Sequence, residues 1–258
     1  ELQSLRHLVC RLLLEKTTYV FGALLLAFVG VGAVLYNIQA AVSNFEFVLN
    51  FGSLIFVIIV PILTMRVIAE ERKQKTDQLL YSLPITTSQV VIGKYLALLL
   101  IYLIPLCLIS IYPLIFAQFG EVYLPTAYGS ILAFFIMGSA LIAIGVFISS
   151  LTENQGFAAG IGIAIILLNY YSVRLSEYVS SKARGSVIAM VILIVLLGAI
   201  IKYLTKNNHV AYGVSALLMA GVVITYWVDS SKLEGLLPHI MRKLSLFERF
   251  NAFVNGVF

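Results

Sequence analysis

Charge is scarce in this chain. Only 11% of its 258 residues are Asp, Glu, Lys or Arg, against about 25% in an ordinary soluble domain. A water-facing surface cannot be assembled from so few ions, which excludes a soluble globular enzyme. Cysteine is scarce too. Two residues, Cys10 near a basic cluster and Cys107 inside an apolar run, do not make a disulfide scaffold. The three histidines, His7, His209 and His239, are scattered without HExxH spacing, so no metal site is indicated. There is no nucleotide-binding loop. Gly93-Lys94 is followed by Tyr95, and Ser88 stands where the loop requires glycine. Acidic residues are missing from the middle of every long apolar run, which disfavours proton-coupled transport and a voltage sensor. No low-complexity linker and no internal repeat are visible.

What is present is apolar residue, 61% of the chain. A spanning helix needs about 20 largely apolar residues. Seven runs qualify, at about 19–36, 47–65, 91–117, 127–149, 156–173, 186–204 and 210–228. They are continuous rather than alternating, which excludes a barrel. The first starts too late and runs too long for a secretory signal. The fold class expected is all-α: one polytopic membrane bundle over 1–258.

The net charge of +5 is explained by topology before nucleic acid, and no nucleic-acid partner is expected. Arg6, Arg11 and Lys16 precede the first run. Arg66, Arg72, Lys73, Lys75 and Lys94 lie between the second and third runs. The loops 37–46 and 119–126 hold no Lys or Arg. That bias puts the N-terminus in the cytoplasm. The second half obeys less well. Simple alternation places Arg174, Lys182, Arg184, Lys232, Arg242, Lys243 and Arg249 outside, with Lys202 and Lys206 inside. A re-entrant hairpin at 156–173 would restore the bias, and both topologies stand open.

Three segments are not simple spans. Residues 2–15 place Leu2, Leu5, Val9, Leu12 and Leu13 at helical spacing, with Arg6 and Arg11 on the remaining surface. Such a helix lies in the membrane interface, facing lipid headgroups or a partner. The stretch 66–95 follows the second run without a break. Glu70, Glu71, Arg72, Lys73, Lys75 and Asp77 make a mixed-sign cluster, and Leu79, Leu80 and Leu83 then bring apolar residues into an aqueous region. Pro84 ends that turn. Thr86, Thr87 or Ser88 can cap the next helix. A solvated loop with salt bridges is the plainer reading; the order of charges, leucines and proline favours a short helix docking into a partner's groove. The third segment, 151–155, carries Glu153 and Asn154 and reads equally as a tight helix–helix turn. Gly156, Gly160 and Gly162 read as helix packing. Asn169, Tyr170 and Tyr171 could line a path or belong to an aromatic belt.

Glu71-Arg72, Thr76, Leu79-Leu80, Pro84-Ile85 and Gly93-Lys94 together resemble the hallmark of ABC type-2 transporter permeases. The segment 244–258 resembles the extracellular stretch before the last span in the gliding-motility-like branch. The resemblance covers 1–173 and 235–258. It implies that a separate ATPase grips the N-terminal helix, through residues such as Leu5, Arg6, Val9, Arg11 and Leu12, and the segment 70–84. It implies a second contact at Glu153 and Asn154. ATP and Mg would sit on that ATPase, with no cofactor in this chain. A second permease subunit would complete a homo- or heterodimer. The family has six spans, so 186–204 and 210–228 read as an inserted pair, and a last span would follow residue 258.

The function expected is therefore the membrane subunit of an ATP-driven exporter in a bacterial cell membrane. Its substrate is unidentified, and an amphipathic one is compatible with spans so poor in charge. Two other classes stay open. Glu70-Glu71 with Lys75 is similar to the EExxxR motif of CAAX-type intramembrane proteases, although lysine replaces arginine. A passive channel or scaffold would need no nucleotide.

Overall fold

The computed structural model of the chain describes residues 16–40, 44–75, 86–178, 208–228 and 235–254, with 185–188, 190–192, 194, 195, 198 and 202. Every regular element among them is helical. The chain divides into two compact units, 1–167 with 249–258, and 168–248.

The first unit opens with α1, Lys16–Gly32, which continues as a π-helical stretch, Ala33–Gln39. The wider turn shows in Ala40, whose N–H donates to the Leu35 carbonyl at 3.0 Å. Phe21, Leu25, Val29 and Ala33 recur at helical spacing and are buried, while Tyr19, Val20, Leu24, Val31 and Val34 are exposed. A helix apolar on both faces belongs in a membrane or a large core. Next come α2, Glu46–Ser53, and α3, Phe56–Thr64; across 54–55 the chain bends by 54° between Glu46–Ser53 and the stretch Phe56–Lys73 that α3 opens. Hydrogen bonds there tighten to Leu54 N–H on Phe51 O and Ile55 N–H on Gly52 O, both 3.3 Å. Ser53 donates back to the Asn50 carbonyl at 2.6 Å. Glu46 opens α2 and is buried, and its Oε2 has no hydrogen-bond partner among the described residues. Asn50, one turn on, donates to Asn251 Oδ1 at 2.7 Å.

A short helix, α4 (Ala69–Lys73), follows a turn at 65–68. The stretch Phe56–Lys73 runs on from the second apolar run into the charged cluster, with its backbone pairing locally opened at the turn. Then come α5, Thr87–Ile109; α6, Tyr112–Phe116; α7, Leu124–Ser150; and α8, Gln155–Tyr178. The start of α5 is a capping box. Thr86 Oγ1 accepts from Gln89 N–H at 3.4 Å, and Gln89 Oε1 accepts from Thr86 N–H at 2.9 Å. Of the three candidate caps, Thr86 is the one used. Pro125 sits in the first turn of α7, where its missing N–H is unneeded. Among the described residues, four helices are long and apolar enough to cross a membrane, Tyr19–Gln39, Thr87–Phe116, Leu124–Ser150 and Gln155–Tyr178, and the bent pair 46–73, taken as one span, makes a fifth.

The helices α1, α3, α5 and α7 meet around Tyr102. Its ring lies 5.6 Å from Phe56, 6.4 Å from Phe21 and 5.7 Å from Phe135, and its hydroxyl donates to the Phe134 carbonyl at 2.8 Å. Gly138 makes room for it: a Cβ there would stand 2.6 Å from the ring. Gly145 does the same for Thr64. Of the three glycines at 156–162, Gly162 packs against Pro61, while Gly156 and Gly160 are exposed.

In the second unit, α9 (Asn208–Val228) and α10 (Leu236–Leu244) join the later part of α8 and helical residues between 185 and 198. Met190 and Leu237 form a small core with Val187, Val222, Leu236 and Met241. Asn169 binds backbone: its Nδ2 donates to Leu244 O and its Oδ1 accepts from Leu246 N–H, both at 3.0 Å. Ser245 donates to the Asn169 carbonyl at 3.2 Å and caps the final helix, α11 (Leu246–Val254), through Glu248 N–H. The amide of Asn169 is thus consumed in fixing this corner. Tyr170 packs edge-on against Phe247, ring centres 5.0 Å apart. The helix α9 overlies the apolar run 210–228, and 186–204 lies only partly within the described residues.

Candidate functional site

The interruption at 65–68 is where chemistry converges. In an unbroken helix the Ile68 and Ala69 amides would bond to the carbonyls of Thr64 and Met65. Here both donate to Ser149 Oγ on the last turn of α7, at 3.2 and 3.1 Å. The same hydroxyl donates to the Met65 carbonyl at 3.1 Å. One hydroxyl has one proton and two acceptor lone pairs. All three are used, and Ser149 is fully buried. Thr64, just before the break, donates back to the Val60 carbonyl at 2.9 Å.

The carbonyl of Val67 is taken by a second outsider. Lys94 on α5 donates to it at 2.9 Å and forms a close ion pair with Glu71 on α4. Lys94 is 3% exposed. A buried ammonium is tolerated only when paired and hydrogen-bonded, and both conditions are met here. Two neighbouring helices therefore supply the side chains that close the opened backbone of the second span.

Beyond the break, α4 carries Glu70, Glu71 and Arg72, all half-buried, and exposed Lys73. Acidic residues occupy its first turn and basic ones its last, matching the helix dipole. Gln74 Nε2 donates to Glu70 Oε1 at 3.3 Å. Lys75 adopts φ 56°, the left-handed turn that ends a helix. The turn 151–154 follows directly on Ser149 and Ser150, so it lies at the same end of the unit as α4. Glu153 is exposed. Asn154 Oδ1 accepts from the Gly156 and Phe157 amides at 3.0 and 3.4 Å, which makes it the N-cap of α8. Asn154→Ala should therefore cost about 1 kcal/mol, read as earlier thermal unfolding of the full chain in detergent. An unchanged midpoint would remove its capping role.

The structure thus brings Glu70, Glu71, Arg72, Glu153 and Asn154 to one end. Thr76, Leu79, Leu80, Leu83 and Pro84 lie outside the described residues, as do Leu5, Arg6, Val9, Arg11 and Leu12 of the interface helix. Among the described residues, no group of three or more His, Cys, Asp or Glu could hold a metal. Sequence reasoning marked Lys94 as half of a Gly-Lys pair but not as the partner of Glu71. It missed Ser149 altogether; the available signal was a serine on the last turn of a long apolar helix.

A family model described as ABC-2 family transporter protein matches residues 33–228. The match runs through 186–228, the helix pair that motif resemblance alone treats as an insertion. No curated protein and no solved structure matches the chain. The chain belongs to the ABC-2 transporter family: it is a multi-pass membrane protein and the permease component of an ABC transporter.

Proposed function

We propose that this permease is the membrane subunit of an exporter driven by a separate ATPase subunit, which carries the ATP and Mg. Two permease subunits, alike or different, would complete the pathway. The N-terminus and the end bearing α4 face the cytoplasm, in keeping with the Lys and Arg bias of the first half. The observation that carries the reading is the short charged helix α4, held at the end of the bundle by Lys94 and Ser149 and presenting Glu70 and Arg72. A segment so placed suits a groove in a nucleotide-driven partner. The turn at Glu153 lies beside it as a second contact. Membrane lipid surrounds the apolar helix faces, and an amphipathic cargo suits spans so poor in charge.

The test is purification from native membranes in mild detergent. An ATPase bearing its own nucleotide loop should travel with the chain, and its hydrolysis rate should depend on the permease. Glu70→Lys should weaken its retention about tenfold, the equivalent of one lost charge-assisted contact. If no ATPase accompanies the wild-type chain, the reading fails.

A further inference from the structure

The break at 65–68 is an opened stretch of helix, and the groups it exposes are satisfied from two different helices. Ser149 of α7 takes the Ile68 and Ala69 amides and the Met65 carbonyl. Lys94 of α5 takes the Val67 carbonyl and the Glu71 carboxylate. A side chain inserted into the i to i−4 ladder marks a point where a helix can change direction. A hinge left to water would let α4 swing without moving anything else. This hinge is stitched instead to two long helices by directional bonds in a buried setting, where losing a partner is costly.

We propose that Ser149 and Lys94 are the two positioning residues of a transmission joint. Displacement of α4 reaches α7 through Ser149 and α5 through Lys94. The inference rests on the reading that an ATPase drives α4. It goes further by dividing the drive into two separable routes, each through one side chain. Neither residue touches substrate in this account. Each ties its own helix to the break, so that a push on 69–73 is passed to α7 by one and to α5 by the other.

The division makes the test specific. Spin labels are placed on cysteines introduced at four exposed positions: Val20 on α1 as reference, Lys73 on α4, Ile104 on α5 and Leu132 on α7. Distances from position 20 are measured in the complex purified with its ATPase, with and without Mg-ATP. In the wild type, positions 73, 104 and 132 should all shift. With Ser149→Ala, positions 73 and 104 should still shift and 132 should not. With Lys94→Met, positions 73 and 132 should still shift and 104 should not. A variant that merely loosened the bundle would not produce these opposite patterns. If either variant keeps all three shifts, or if both lose positions 104 and 132 alike, the joint is overturned. If ATP moves nothing in the wild type, the ATPase-driven reading falls, and the joint with it.

Discussion

Lys94→Met is expected to destabilise the first unit by about 3 kcal/mol, at the lower end of the loss seen when one partner of a buried ion pair is removed. The ammonium leaves two acceptors behind, the Val67 carbonyl and the Glu71 carboxylate. The Glu71 side chain is 30% exposed, so water recovers part of its solvation, which keeps the loss from the upper end. Methionine matches the length of the lysine stem and adds no void. The measurement is thermal or denaturant unfolding of the full chain in detergent, followed at the tyrosines. The pair is separated from its packing by the double variant Lys94→Met with Glu71→Leu, which removes both charges. It should recover only part of the stability: no unpaired carboxylate remains, but the buried Val67 carbonyl still lacks its donor. A single variant that loses less than about 1 kcal/mol would show that Lys94 is not locked as described.

Gly138→Leu should be as damaging for the opposite reason. Lys94→Met removes a partner, whereas this change inserts atoms where none fit. A Cβ at 138 already falls 2.6 Å from the Tyr102 ring, and that ring is enclosed by Phe21, Phe56 and Phe135. Tyr102 is fully buried and its hydroxyl is bound to Phe134 O, so it has no free direction in which to yield. Overpacking of this kind costs about 1–3 kcal/mol and more where neighbours cannot move. The expected result is a loss of about 3 kcal/mol, or failure to accumulate as folded protein. Gly138→Ala should show a smaller loss of the same sign. Shrinking the obstacle with Tyr102→Leu should partly rescue Gly138→Leu, and the absence of any rescue would place the clash elsewhere.

These two sites illustrate what could be read in advance. The long apolar helices were legible because a continuous apolar run of about 20 residues has few other uses. Their ends were legible within a few residues, as at Thr86, where threonine followed three residues later by glutamine spells a capping box. The bend at 54–55 was not legible, since no proline stands there; it shows only in the backbone, where Leu54 and Ile55 pair i to i−3. Burial of Glu46 was equally hidden, because a glutamate beside a loop reads as a solvated residue until its neighbours are known. The candidate site divides the same way. The charged cluster 70–75 announces itself by composition. The pairing of Glu71 with Lys94 and the reach of Ser149 to Ile68 are contacts between helices, and no spacing rule along one helix contains them.

The stitched break also has an order in time. Ser149 lies 81 residues after Ile68 and 80 after Ala69. A ribosome adding about 5–20 residues per second makes the two amides on the order of ten seconds before it makes their acceptor. Throughout that interval the second span has already been synthesised, but α4 hangs from it by an unclosed turn. Lys94 arrives sooner and closes one side first. The break at 65–68 is therefore fully closed only after the fourth long apolar segment, α7, has been made. Assembly of this corner is timed by the chain itself, because its last partner is also the last to be synthesised.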